Sequence, residues 1–543
     1  MRRATYWEDT ILINRRTFLG SSAAAGLILA GGLTSRAFAQ DGSDTLRVAF
    51  AAGGPRNFDA AKINQGADAW TINHVHDRLV AAPLGRYPKT MDELQPSLAV
   101  TWSAAEDART WTFKLREGVQ FHKGYGEMTS EDVKYSLERM LDPERAGTTR
   151  AVYENIAAIE QDGPYTVVFS LKRPDPLFPV SSLLGYSTNI MSKKAIEEKG
   201  ETAIEFDPIG TGPYMVETVH ENPADGVTVA ANPDYWGEQP SMPRIHFSYV
   251  ADTTARTLAL LSGDLDVIEG VRAPGWVPSL QQQEPRLGFD VSRPGSFFSM
   301  HVNLRIKPFD DIRVRQGIFY AIDRKEIAQA MAPFGAETYG VNPPSFLGAF
   351  TAETIPDDIR YDLDIDRSKA LMAEAGLPNF TFDAYTSQRE DYSSIALMVQ
   401  EQLRRAGITM NLAVKEHTTF HADQVSGTNS LSMLSAAFPP VPTVPLLQYL
   451  SSTSAAEGGQ NLSRYGLEMP GIDDKIEAVL SEPNLDRRLE LVREAEAQVL
   501  RDAVYLPICT NGFLMVRGVG CDLGYVVESG GSDWDLTRTT RAS

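Results

Sequence analysis

From residue 40 onward the chain alternates short apolar runs of strand length with amphipathic stretches of helical period, and that alternation confines it to an α/β architecture in which helices cover sheets. Leu46 to Ala51 reads as a first strand, closed by Gly53-Gly54-Pro55. Glu131 to Met140 puts Val133, Leu137 and Met140 on one helical face, with Thr129 or Ser130 as the N-cap. Arg367 to Ala375 is a further helix, capped by Asp366 and stopped by Gly376, with Pro378 just beyond. Ser394 to Ala406 repeats the design with Leu397, Val399 and Leu403, ends at Gly407, and is followed by a strand over Ile408 to Val414. There is no internal repeat and no long low-complexity linker, so the expectation is a set of lobes joined by short crossings.

Ahead of this alternation stands a different kind of segment. Asn14-Arg15-Arg16-Thr17-Phe18-Leu19-Gly20 precedes an uncharged run from Ser21 to Ser35, and Ala37-Phe38-Ala39 offers small residues at both cleavage-determining positions. The run is shorter than the roughly 20 apolar residues a spanning helix needs. Residues 1–39 therefore read as a cleavable signal of the twin-arginine type, and the mature protein is expected in the periplasm as a soluble single chain. Cleavage after Ala39 removes five arginines and two acids (Glu8 and Asp9), taking the net charge from −20 to −23. Such a balance argues against nucleic acid as a partner, because phosphate binding needs a basic face.

Motifs for bond-breaking chemistry are missing. The mature chain contains no G-x-S-x-G elbow, no Walker loop and no H-E-x-x-H. Gly210-Thr211-Gly212 lacks the third glycine of a dinucleotide fingerprint and reads as a turn into a strand. Asp362, Asp364 and Asp366 begin like a calcium loop, but Arg367 and Ala373 stand where the glycine and the bidentate acid belong. His74 and His76 would share a face on a strand and diverge on a helix, which leaves a metal pair or two hydrogen-bonded histidines. No cofactor, no metal and no enzymatic activity are expected.

A series of longer phrases resembles one family over nearly the whole mature length. Trp111-Thr112-Phe113-Lys114-Leu115-Arg116-Glu117-Gly118-Val119-Gln120-Phe121-His122 is followed in order by Glu131-Asp132-Val133-Lys134-Tyr135-Ser136-Leu137, Gly210 to Tyr214, and Asn232 to Gly237. Leu260, Gly263, Asp264, Asp266 and Val267, then Pro308 to Arg315 with Ala321 to Arg324, complete the register. Together these phrases resemble the family 5 solute-binding proteins of ABC importers, receptors for oligopeptides, dipeptides, nickel complexes, opines and some oligosaccharides. The residues themselves are scaffold: Trp111, Phe113 and Leu115 alternate as on a half-buried strand, and Asp310 caps a helix carrying Ile318, Phe319 and Ile322.

The resemblance implies a two-lobed periplasmic-binding-protein type II clamshell with an extra inserted subdomain. Residues 44–82, 207–302 and 508–543 would form lobe I, residues 83–206 its insert and residues 303–507 lobe II, with hinges near Asn303 to Pro308 and Leu506 to Thr510. It further implies a receptor that captures a small organic solute, a peptide or peptide-like molecule, by interlobe closure and hands it to an ABC permease. The alternatives are an opine, sugar-conjugate or metal-chelate receptor and, from another class, a secreted hydrolase, for which no motif is present.

Dipeptide receptors of the family carry an aspartate that accepts the ligand ammonium, and in this sequence Ala437 or Phe438 stands at that place. Arg389 matches the arginine that meets a ligand carboxylate, beside Glu390 and Tyr392. Loops and strands expected to face the cleft add Gly53, Gly54, Arg56, Asn57, Phe298, Met300 and Asn303. The two cysteines, Cys509 and Cys521, lie twelve apart around a glycine-containing stretch and are compatible with one disulfide in an oxidising compartment or with two buried thiols.

Overall fold

The computed structural model describes residues 44–542 apart from 64–65, 89, 143–144, 146–152, 186–187, 453–468 and 531–533. The export signal expected over residues 1–39 and the expected cleavage after Ala39 lie outside the described residues.

Strands are numbered in chain order as β1 (Thr45–Phe50), β2 (Ala99–Ala104), β3 (Thr110–Leu115), β4 (Ile156–Gln161), β5 (Thr166–Leu171), β6 (Tyr214–Val219), β7 (Val227–Ala231), β8 (Arg244–Tyr249), β9 (Val267–Glu269), β10 (Gly288–Val302), β11 (Thr381–Ser387), β12 (Thr409–Lys415), β13 (Leu431–Ala436) and β14 (Tyr505–Arg517). The helices used below are α1 (Gly66–Asn73), α2 (Ser130–Leu141), α3 (Ile312–Tyr320), α4 (Ile365–Glu374), α5 (Glu390–Arg405) and α6 (His417–Ser426).

One large sheet organises the molecule, in the order β6-β7-β8-β1-β9-β14-β10-β13. The first strand is central and parallel to both β8 and β9. Its alternation sends Leu46, Val48 and Phe50 into a core with Phe58, Trp70 and Phe247, while Ala49 faces a second core that includes Phe298, Met300 and Tyr392. The long strands β10 and β14 pair antiparallel from Gly288↔Arg517 to His301↔Tyr505, with register shifts between Ser292 and Gly295, between Gly295 and Ser296 and between Phe298 and Ser299. Before the break β14 also pairs with β9; beyond it β10 also pairs with β13. Two strands thus run from one half of the molecule into the other.

Residues 99–171 build a separate antiparallel sheet, β2-β3-β5-β4, with its own core. Trp111, Phe113 and Leu115 point inward from β3, as their alternation requires, and Gly118 turns the chain at φ +79 before buried Val119 and Phe121. Helix α2 begins in a capping box: Thr129 accepts from the Glu131 amide and Asp132 accepts from the Thr129 amide at 3.0 Å. A buried ion pair, Arg139 to Asp59 at 2.7 and 2.8 Å, ties α2 to the segment before α1.

Several sequence expectations need correction. The cap of α3 is Asp311, whose carboxylate accepts the Arg313 amide at 2.9 Å, and not Asp310. The cap of α4 is Asp364, held by its own amide on the Tyr320 carbonyl at 2.8 Å, so Asp366 lies inside the first turn. Cys509 and Cys521 are free and buried. Cys509 sits opposite Phe298 in the middle of β14, whereas Cys521 lies past the strand's end, paired with Arg541. The eight residues from Cys509 to Arg517 extend about 26 Å at 3.3 Å each, and the remaining four cannot return within the roughly 7 Å a bridge demands. The glycine stretch expected to turn the chain is instead continuous strand at Gly512.

The histidine alternatives also resolve. Nδ1 of His74 donates to the Trp70 carbonyl at 2.7 Å and Nε2 accepts the Leu536 amide at 3.0 Å. His76 Nδ1 donates to the Ile190 carbonyl at 3.1 Å, and burial pushes its pKa down to about 4. Among the described residues no group of three or more His, Cys, Asp or Glu side chains converges on a metal position, and no helix is long and apolar enough to cross a membrane.

Candidate functional site

Where β10 and β14 cross between the two halves, the sequence places two buried polar residues near one another, Ser296 on β10 and Asn511 on β14. Ser296 Oγ receives a hydrogen bond from Ser435 Oγ of β13 at 2.8 Å. Asn511 Nδ2 donates to Asp391 Oδ2 at 3.1 Å. Asp391 lies in the first turn of α5, and its side chain is only 7% exposed. Its Oδ1 accepts the Tyr392 amide at 3.1 Å and Arg389 Nε at 3.3 Å, and its Oδ2 accepts Arg389 Nη2 at 3.4 Å. Asn511 Oδ1 is buried with no donor among the described residues.

From the opposite half, the loop after β9 brings Arg272. Its Nη1 donates to Ser296 Oγ at 3.3 Å and to the Asn511 carbonyl at 3.4 Å, and its guanidinium lies 4.9 Å over the Phe513 ring. Among the described residues no carboxylate forms an ion pair with it. Burial lowers its pKa, Arg389 lowers it further, and Asp391 and Glu269 act in the other direction. Nothing in the family phrases pointed to Arg272; the available signal was an arginine just beyond the strand Val267 to Glu269.

The sequence-derived candidates fall into two groups. Arg389 and Glu390 are exposed at the start of α5, and Arg389 faces His417 and His421 of α6, whose pKa values its charge helps to lower after burial itself. Gly53, Gly54, Arg56 and Asn57 form the loop after β1: the amides of Arg56 and Asn57 donate to Asp68 at 3.2–3.3 Å, and a Cβ on Gly54 would meet Pro223 at 2.7 Å. Ala437 is exposed after β13.

The remaining candidates are packed inside. Phe298 and Met300 belong to the core because that stretch of β10 is sandwiched by helices on one face and by aromatics on the other. Asn303 spends its amide on the carbonyls of Gly427 and Asn429 at 2.9 and 3.1 Å, holding the loop before β13. Tyr392 is locked by Ser435, donating to its carbonyl at 3.0 Å and accepting its amide at 3.2 Å, while its ring meets Phe298 edge-on at 5.0 Å. Phe438 is packed against Phe297 and Tyr449 at 5.5 and 5.2 Å. These side chains shape and stiffen the wall that carries Arg389. A surface hollow of about 830 Å³ is lined by β11, β12 and the later part of α5, with Asp383, Gln400 and Arg404 among its residues.

Residues 93–458 match the model of bacterial extracellular solute-binding proteins, family 5 Middle. The chain belongs to that family. It is 31% identical over 322 residues to the glutathione-binding protein GsiB of Shigella flexneri serotype 5b, a match that covers 58% of this chain and 60% of that protein's length. It is 27% identical over 490 residues to di/tripeptide-binding protein 2 of Pseudomonas aeruginosa, covering 84% of this chain and 87% of the relative. The solved structure of MoaA from A. tumefaciens R10 in complex with mannopinic acid superposes with a TM-score of 0.76 at 27% identity, covering 92% of this chain and all of that one. The α/β architecture is thus the periplasmic-binding-protein fold of family 5, and the chain spans about 60% of the length of the glutathione-binding relatives it matches.

Proposed function

We propose that this protein is exported to the periplasm, closes around a small peptide-like or amino-acid-derived acid at the crossing of β10 and β14, and delivers it to the permease of an ABC importer. Residues 1–39 act as a twin-arginine signal cleaved after Ala39. Lobe I comprises residues 44–82, 207 to about 292 and about 512 onward; residues 83–206 are its insert; the remainder is lobe II. The pivot is assigned to the register breaks at residues 292–299 and 507–513, which overlap the hinge expected near Leu506 to Thr510 and precede the one expected near Asn303 to Pro308.

The observation that carries the reading is the Arg389–Asp391–Asn511 constellation, in which a lobe II helix start is fastened to a crossing strand and holds a guanidinium toward lobe I. Arginine's planar fork suits a carboxylate. With Ala437 exposed and Phe438 packed in an aromatic cluster, no acid stands where dipeptide receptors hold the ligand ammonium, which favours ligands whose amine is blocked, absent or displaced. Relatives named for glutathione, di- and tripeptides and mannopinic acid bracket this chemistry.

The test uses solutes released on denaturing protein purified from its native periplasm, identified by mass spectrometry and added back to stripped protein. Spin labels at Leu258→Cys and Leu397→Cys, 58% and 54% exposed on the outer faces of the two lobes, should move closer at one-to-one stoichiometry. No released solute and an unchanging label distance would overturn the receptor reading.

A further inference from the structure

We propose that Arg272 is the anchor through which lobe I takes an anionic group of the ligand, and that with Arg389 it makes the cleft selective for small acids carrying two anionic groups, one held from each lobe. This rests on the receptor reading above.

The argument is a balance of partners. Arg272 is half-buried, stacked on Phe513, and uses one nitrogen for two long hydrogen bonds, to Ser296 Oγ at 3.3 Å and to the Asn511 carbonyl at 3.4 Å. Among the described residues neither Nε nor Nη2 has an acceptor, and no carboxylate lies within ion-pair distance. Partly exposed and without an ion pair, the guanidinium keeps two nitrogens open to an incoming anion, and its planar fork suits a carboxylate.

The acids in electrostatic reach form no ion pair with Arg272 and bind other donors. Asp391 accepts from Arg389, Asn511 and the Tyr392 amide, and Glu269 accepts the Ala51 amide at 2.9 Å. Arg389, by contrast, is 45% exposed and reaches Asp391 only through bonds of 3.3 and 3.4 Å, so it can add a second partner. The buried, unpartnered Asn511 Oδ1 supplies an acceptor for an N–H or O–H on the same ligand. Closing the empty cleft brings two like charges together in a dry site. A ligand with an anionic group at each end converts that repulsion into two attractive contacts, so occupancy drives closure.

Calorimetry of the mature protein with glutathione, mannopinic acid and L-alanyl-L-alanine tests this, with Arg272→Met and Arg272→Lys beside the wild type. At least one two-anion probe should bind 100-fold or more tightly than the dipeptide, lose at least 100-fold in Arg272→Met and recover part of that in Arg272→Lys. Equal or tighter binding of the dipeptide, or binding indifferent to Arg272→Met, would overturn the two-anchor assignment and leave the receptor reading intact. If none of the three probes binds, the label distance in stripped protein decides: Arg272→Met should shift the unliganded population toward the closed distance, and identical distributions would overturn the proposal.

Discussion

Asn511 Nδ2 donates to Asp391 Oδ2 at 3.1 Å, so a long strand of the large sheet is bonded to the first turn of α5. The same carboxylate orients Arg389. Removing the charge should therefore act on the ligand more than on the fold. Asp391→Asn is expected to weaken binding of the released native solute about tenfold, about 1.4 kcal/mol, with the guanidinium no longer oriented; calorimetry beside a melting curve separates the two effects. A loss of stability with unchanged affinity would place Asp391 in the scaffold alone.

Closure also has a contact outside the cleft. Val441 packs with Leu94, Leu177 and Val180 of the insert, and Arg488 Nη1 donates to the Pro174 carbonyl at 3.0 Å. If these contacts form only in the closed state, Val441→Ser should reduce ligand affinity roughly fivefold to tenfold, about 1–1.4 kcal/mol, and leave the unliganded melting temperature nearly unchanged. A large drop in the unliganded melting temperature would show that the contact persists when the lobes open.

Burial raises the Glu496 carboxyl to about 7; Asn342 donates to Oε1, while Oε2 has no donor among the described residues. The folded protein holds this proton more tightly than the unfolded chain does. Stability is therefore highest below about pH 4.5 as far as this group is concerned, falls as pH rises toward 7, and carries the full penalty above it, about 3 kcal/mol. Glu496→Gln should flatten that slope, so denaturant titrations at pH 5 and pH 8 should show the variant gaining on the wild type only at the higher pH. Parallel curves at both values would contradict the assignment.

Both thiols should be silent in the native protein. Burial pushes Cys509 and Cys521 up to about 12 each, and thiolate is the reactive form. Thiol titration without reductant should find none in the folded protein and two after unfolding. Finding none after unfolding would require a bridge that the length of β14 forbids.

Local patterns were the legible part of the sequence. The alternation at Trp111, Phe113 and Leu115 fixed the buried face of β3, and of the two caps offered for α2, Thr129 or Ser130, Thr129 takes the place, because both depend on neighbours in the chain. Choices settled by tertiary contacts were not legible. Asp364 rather than Asp366 caps α4 because the Tyr320 carbonyl holds it, and Pro294-Gly295 concealed a single strand running from Gly288 to Val302. Of the proposed site, Arg389 stood out through its phrase, while Arg272 drew attention only once Ser296, Asn511 and Phe513 were seen around it. Met300 and Phe298 read equally well as wall or core, and the packing of both faces of β10 decided for core.

The most direct test is a crystal structure of the protein loaded with the solute it carries from the periplasm. The account predicts one molecule enclosed at the crossing of β10 and β14, with one anionic group about 3 Å from the Arg272 guanidinium and another at Arg389, and no ammonium facing Ala437. A ligand held elsewhere, or one that leaves Arg272 without an anionic partner, would contradict it.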